Sequence, residues 1–234
     1  MKQLARIVGI VMLLIASVTR VSAVNFEELN MTVQLPEEYY DLKAGIEAED
    51  SKITYYETML NTTKEQLKEQ ITTNHILYDG INANLSKELT ISTLENSSTK
   101  RTFHLHSLSE QEINDLQEEL RQEAQSKQMQ VEKIDVYQTN GLKWITLTMK
   151  SYSNTVYQYY TVVNGTGVTI SLSCSGEDAK QEELKNVIDT VTFSELKEKT
   201  PDFTNYIIIG VSVVLVIIVI VLMIMAFSKK KDEN

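Results

Sequence analysis

Residues 143–174 read KWITLTMKSYSNTVYQYYTVVNGTGVTISLSC, and this stretch decides the fold. β-Branched and aromatic residues recur at every second position, a spacing that suits a pleated strand and not a helix of 3.6 residues per turn. The pattern predicts strands over Lys143–Ser151, Tyr157–Val163 and Val168–Cys174. Between the last two, Asn164-Gly165-Thr166-Gly167 supplies residues that accept the positive φ angles of a tight turn, so the two strands are expected to pair as a hairpin. Alternation then places Val168, Ile170, Leu172 and Cys174 on one face and Thr169, Ser171 and Ser173 on the other.

Working outward, Glu132–Tyr137 reads as a preceding strand, and before it Ser109-Glu110-Gln111-Glu112 forms a capping box. The helix it opens carries Ile113, Leu116, Leu120 and Ala124 on one stripe and charge elsewhere, so it should lie on the outside of an apolar surface. Further upstream the alternation of Met31–Leu35 stops at Pro36, which reads as an edge-like first strand. A short helical turn is expected over Ser51–Leu60. Thr62 or Thr63, with Glu65 or Gln66 three residues on, opens a second helix to about Thr73 with Leu67 and Ile71 inward. Ile76–Ala83 and Leu89–Leu94 read as a strand pair, with Arg101–His106 a shorter third. At the far end a helix over about Asp178–Val191 points Leu184, Val187, Ile188 and Val191 inward. Helices on both sides of an antiparallel meander predict an α+β fold, a sheet covered by helices, within a single core of residues 24–193.

Both ends are apolar. Lys2 and Arg6 precede the run Ile7–Val18, and Val21-Ser22-Ala23 fits a signal peptidase site, so residues 1–23 read as a secretory signal peptide. The 22 residues Tyr206–Phe227 carry no charge and would span about 33 Å as a helix, enough for one transmembrane pass. Ser228-Lys229-Lys230-Lys231 follows within a tail of residues 228–234, and lysines at a membrane end favour the cytoplasmic side. Residues 194–205 read as a polar juxtamembrane tether. The expected arrangement is a single-pass cell-membrane protein with its N-terminal domain extracytoplasmic and its C-terminus cytoplasmic. A sortase signal would need a Leu-Pro-x-Thr-Gly-type motif, which Pro201-Asp202-Phe203-Thr204 does not provide.

The chain of 234 residues has formal charge −10 and one cysteine. Between Val24 and Asn205 there are 16 basic and 30 acidic residues, a net −14 that excludes a nucleic-acid partner on electrostatic grounds. A lone cysteine forms no internal disulfide. The triplets beginning at Asn30, Asn61, Asn84, Asn96 and Asn164 match the glycosylation acceptor pattern, and a disulfide-free ectodomain fits a bacterial surface.

The strand closed by Leu35-Pro36 and followed by Tyr39-Tyr40, the capped amphipathic helix, the strand Lys143–Leu147, the stretch Tyr159–Gly165 and the closing helix ending Val191-Thr192-Phe193 together resemble the PsbP-like α/β/α sandwich. The chain is similar in particular to extracytoplasmic members from Gram-positive bacteria, over roughly Phe26 to Phe193. The resemblance implies a binding or assembly module and not an enzyme. The C-terminal anchor and the absence of a photosystem context depart from the photosynthetic members.

Catalytic chemistry has little to stand on. There is no Gly-x-Ser-x-Gly elbow, His-Glu-x-x-His helix, phosphate-cradling glycine loop or dinucleotide fingerprint, so no cofactor and no catalytic residue is expected. His104 and His106, about 7 Å apart on one face of the predicted strand, are the metal candidates, and the remaining ligands of a zinc site are not evident. Cys174 continues an apolar face and reads as a small buried hydrophobe. Tyr152, Tyr157, Tyr159 and Tyr160 with Trp144 form an aromatic cluster, and Tyr157 and Tyr159 are the candidates for partner binding. The expected function is a non-catalytic, membrane-anchored binding or assembly module with a protein or envelope partner. The rivals are an extracytoplasmic hydrolase and a metal-responsive surface sensor.

Overall fold

The computed structural model describes residues 21–43, 50–126, 128–151, 154–175 and 180–199. No helix among the described residues is long and apolar enough to cross a membrane, and the predicted span at 206–227 and most of the predicted leader lie outside them. The main sheet has seven antiparallel strands in the order β3-β4-β5-β9-β8-β7-β6. Their ranges are β3 Tyr39–Lys43, β4 Ile76–Asn82, β5 Lys87–Leu94, β6 Gln130–Thr139, β7 Leu142–Ser151, β8 Asn154–Val163 and β9 Thr166–Ser175. A smaller sheet joins β1 (Val21–Phe26), β2 (Met31–Pro36) and β10 (Thr192–Phe193).

The predicted meander is present. Asn164 and Gly165 take φ of 53° and 84°, and Val163 pairs with Thr166, so β8 and β9 form a two-residue hairpin. Asn140 and Gly141, at φ 51° and 73°, turn β6 into β7 in the same way. The helices are α1 (Asp50–Leu60), α2 (Lys64–Thr73), α3 (Ser97–Thr102), α4 (Glu110–Ser126) and α5 (Gln181–Ile188). Both expected capping boxes close. Gln66 N donates to Thr63 Oγ1 at 3.3 Å while Thr63 N donates to the Gln66 side chain at 3.0 Å. Ser109 N donates to Glu112 Oε2 at 2.8 Å while Glu112 N donates to Ser109 Oγ at 3.3 Å. These bonds from Ser109 hold the Glu112 carboxyl below its usual range. Ser109→Ala removes an N-cap and is expected to lower unfolding stability by about 1 kcal/mol, measurable as a shift in the urea midpoint.

Three apolar clusters hold the layers. On one face of the main sheet, α1 and α2 cover Leu42, Ile76 and Ile81, and α4 covers Ile145, Leu147, Met149 and Val156. On the other face, the small sheet and α5 bury Val33, Leu35, Leu184 and Ile188 against Leu89, Ile91, Ile170, Leu172 and Trp144. The result is a mixed α+β fold with antiparallel sheets and helices.

Two readings need correction. Residues Met31–Leu35 form a central strand, because β1 pairs on one side (Val24 with Val33) and β10 on the other (Thr192 with Thr32). Arg101–His106 is not a strand. Asn96 caps α3 through a 2.8 Å bond from Thr99 N, α3 runs into Arg101, and Phe103 at φ 62° breaks the chain into a 3-10 turn over Leu105–Ser107. Asn-Ser-Ser-Thr is a stronger helix-start signal than the two apolar residues that suggested alternation.

Candidate functional site

The face of the main sheet under α1, α2 and α4 is not uniformly apolar. One cross-strand row reads Leu42, Asp79, Thr90, Ser171, Gln158, Leu147 and Ile134 from β3 to β6. The outer members pack under helices; the four central ones are polar. Neighbouring rows add Glu88 opposite Ser173 and Ser92 opposite Thr169. Alternation along β5 and β9 put these groups on the face opposite the core, which in a two-layer protein would face water. Here they are buried: Asp79 is 2% exposed, Gln158 0% and Ser173 1%.

Burial of a polar atom without a partner costs on the order of 1–3 kcal/mol. Thr90 and Ser171 satisfy each other through a 2.8 Å hydroxyl bond. Asp79 Oδ1, Asn154 Oδ1, Gln158 Nε2, Gln158 Oε1 and Ser173 Oγ have no partner, and they are five of the nine such atoms among the described residues. Buried polar groups in folded proteins are nearly always paired, so this concentration on one strip is the most informative feature of the molecule.

Asp79 and Glu88 share a hydrogen bond within the strip. Burial pushes the Asp79 carboxyl up to about 7, against the bond from Glu88, which favours its ionised form. Burial, and then the neighbouring Asp79 charge and the shared bond, hold Glu88 well above the usual carboxylate range. The pair therefore retains a proton on Glu88, which donates to Asp79. Tyr56 from α1 braces the backbone here, its hydroxyl lying 2.9 Å from the Asp79 carbonyl oxygen and 2.8 Å from that of Tyr40.

His104 and His106 do meet, their rings stacked with centroids 4.9 Å apart and 20° between planes. Both nitrogens of His104 are engaged: Asn164 N donates to Nδ1 at 3.4 Å, and Nε2 donates to the Lys197 carbonyl at 2.7 Å. This network assigns the neutral tautomer protonated on Nε2. Burial, with His104 and Lys143 nearby, lowers the His106 imidazole. No group of three or more metal-ligating side chains occurs among the described residues.

The residue that holds Lys197 in place was not singled out for this role by the sequence. Asn164 Nδ2 donates to the Glu195 carbonyl at 2.9 Å and Asn164 Oδ1 accepts from Lys197 N at 2.8 Å, so the side chain imitates a strand pairing with residues 195–197. Lys199 Nζ donates to the Arg101 carbonyl and Ser194 N to the Asn30 carbonyl. The predicted polar tether is, over its described part, a strap docked on the domain. Asn164→Gly keeps the positive φ of the turn and deletes both side-chain bonds. Trypsin is expected to cut after Lys197 and Lys199 several-fold faster in this variant, with the cleavage sites read by mass spectrometry.

The aromatic candidates separate. Tyr159 is 2% exposed and packs edge-on to Trp144 and Tyr137, at 6.4 and 5.8 Å between centroids, so it belongs to the core and offers no surface. The register pairs Tyr159 with Ile170, which puts its ring on the inner face. Tyr157 is half-buried and packs against the same cluster. Cys174 is buried, as its place on the apolar face of β9 predicts. A groove of about 490 Å3 opens between His106 and the β6–β7 turn, lined also by Asn140 and Lys143.

No family model matches the chain, and no curated protein matches it. Among solved structures the chain is similar to the solution structure of the cyanobacterial PsbP (CyanoP) from Synechocystis sp. PCC 6803. That likeness has 10% identity and a TM-score of 0.48, and covers 76% of this chain and 94% of that one. A crystal structure from Bacteroides thetaiotaomicron is similar at 11% identity and a TM-score of 0.37, over 73% of this chain and 47% of that one.

Proposed function

We propose that the chain is a single-pass membrane protein whose extracytoplasmic domain is a non-catalytic recognition module of the PsbP-like, Gram-positive extracytoplasmic type, binding a protein or envelope component. The observation that carries the recognition part is the buried polar strip with its partnerless hydrogen-bonding atoms: a sheet whose only task was to pack would carry apolar side chains there. The anchored part rests on the uncharged run Tyr206–Phe227 followed by three lysines. Removal of a leader after Ala23 would take away the exposed first half of β1, where Val21–Ala23 pair with Gln34–Pro36, and leave the buried Val24 and Phe26, which pair with Val33 and Met31.

Two measurements test this reading. Protease added to intact cells should degrade the domain as readily as in lysed cells, and protection in intact cells alone overturns the location. Crosslinking in intact cells followed by mass spectrometry should recover a specific neighbour, and recovery of bulk membrane proteins alone overturns the recognition role. A second reading, an extracytoplasmic hydrolase, draws on the buried, hydrogen-bonded Asp79–Glu88 carboxyl pair. Hydrolysis of a surface polymer abolished by Asp79→Asn would favour it. A metal-responsive role for His104 and His106 requires the strap to leave His104 first, because both of its ring nitrogens are occupied.

A further inference from the structure

We propose that the outer edge of β6 is an interface between two copies of this chain, each pairing its β6 antiparallel with the other's about a two-fold axis through Val136. This goes beyond the recognition reading and does not rest on it.

β6 is the last strand of the main sheet, and among the described residues no strand lies beyond it. It runs for 10 residues, none of them buried. Long free edges are templates for another strand, and folded proteins usually blunt them. The opposite edge is treated that way: β3 has five residues, and the Tyr56 hydroxyl lies 2.8 Å from the Tyr40 carbonyl oxygen. On β6 the blunting devices, the exposed Lys133 and a register shift between Val131 and Lys133, fall in the first half only.

The second half offers a regular ladder. In a two-residue hairpin the residues flanking the turn exchange both backbone bonds, so Thr139, Tyr137 and Asp135 bond inward to β7. Ile134, Val136 and Gln138 therefore turn N–H and C=O groups outward. At their centre Val136 is 42% exposed, one of four large apolar side chains so exposed among the described residues.

These constraints select the occupant and its register. A two-fold through Asp135 sets that carboxylate against its own copy, and like charges directly opposite are destabilising. A two-fold through Ile134 brings the bulged Glu132 opposite Val136, and one through Tyr137 runs Ile134 into the turn at Asn140. Through Val136, Ile134 meets the copy's Gln138, and the outward residues exchange about six backbone bonds. Val136 packs on the copy's Val136. Charge is also matched: Asp135 comes opposite the copy's Tyr137, whose ring centroid lies 5.3 Å from the Lys185 ammonium, while Lys133 comes opposite the uncharged Thr139. The edge is therefore complementary to itself, as a two-fold interface requires.

The test uses the full chain purified in detergent. Cys174, the single native cysteine, is buried, so an introduced surface thiol reports alone. Residues facing each other in a bonded pair have Cα atoms about 5.5 Å apart, within disulfide range. Under copper phenanthroline, Val136→Cys should crosslink to a dimer at least tenfold faster than Gln138→Cys, and faster than Asp135→Cys. Light scattering on the unaltered chain should show a concentration-dependent dimer. Val136→Lys should raise the dissociation constant at least tenfold while leaving the urea midpoint in place. A chain that stays monomeric up to concentrations on the order of 100 µM overturns the proposal. So does a dimer that Val136→Lys leaves intact, as a contact between membrane spans would, and so does crosslinking that is fastest at Asp135→Cys. None of these failures bears on the location or on a partner recovered by crosslinking in cells.

Discussion

Raising the pH from about 4 to 7 is expected to lower the unfolding free energy of the domain by several kcal/mol, and Asp79→Asn combined with Glu88→Gln should remove most of that fall. In the unfolded chain an aspartate loses its proton near 3.8, whereas in the fold Asp79 holds it to about 7. Between those values unfolding releases a proton, so each pH unit costs about 1.4 kcal/mol for a fully titrating group. The contribution is complete below the unfolded value and lost as pH rises through the folded one. For Asp79 alone the window allows up to ~4 kcal/mol, and Glu88 acts in the same direction to higher pH. Because the two carboxyls share a bond, the fall belongs to the pair. Trp144, the single tryptophan and fully buried, reports unfolding by fluorescence, so urea midpoints at pH 4, 6 and 8 measure the effect directly. A wild-type midpoint that does not fall between pH 4 and 7 would contradict the buried acid pair.

Tyr159→Ala is expected to cost 3–5 kcal/mol, in the range of large-to-small changes in aromatic cores, and to expose Trp144 to quenching by iodide. The ring touches Trp144 and Tyr137 edge-on and sits opposite Ile170 in the central strand pair, so little can collapse into the space it leaves. Tyr157→Ala, at a half-buried position, should cost about 1 kcal/mol. The pair of variants separates folding from recognition: a partner lost in the first but retained in the second reports an unfolded domain. Equal, small effects of the two substitutions would place Tyr159 outside the core.

Periodicity and capping chemistry made much of the fold legible. The strands of residues 143–174, the Asn164-Gly165 turn and the inward faces of α2, α4 and α5 follow from spacing of two or of 3.6, and both boxes closed where serine or threonine preceded a glutamate or glutamine. What spacing does not carry is which faces another layer covers. Spacing puts Thr169, Ser171 and Ser173 on the face opposite Val168 and Ile170, but alternation distinguishes faces and not whether the polar face meets water, and only the two flanking helix packs decide that. The Asp79–Glu88 pair joins residues nine apart across the β4–β5 hairpin, where Asp79 pairs with Thr90 and Ile81 with Glu88, so the two acids meet on a diagonal that alternation along either strand alone does not show. Tyr39–Lys43 went unread as a strand because it is short and borders the helix-bearing segment. The strap was hidden for another reason: polar composition says linker, whereas the docking is done by Asn164 and His104, far upstream.

Under the proposed membrane anchoring, that strap would set how high the domain stands. With the proposed span beginning at Tyr206, a free connector from Ser194 to Asn205 would have 12 residues and a reach of about 40 Å. Once Glu195, Lys197 and Lys199 are clamped, only residues 200–205 remain as leash, about 20 Å at full stretch. Under the proposed anchoring, clamping would hold the end of the domain that bears Asn164 and Arg101 close to the lipid headgroups, and unclamping would roughly double the radius the domain could sweep.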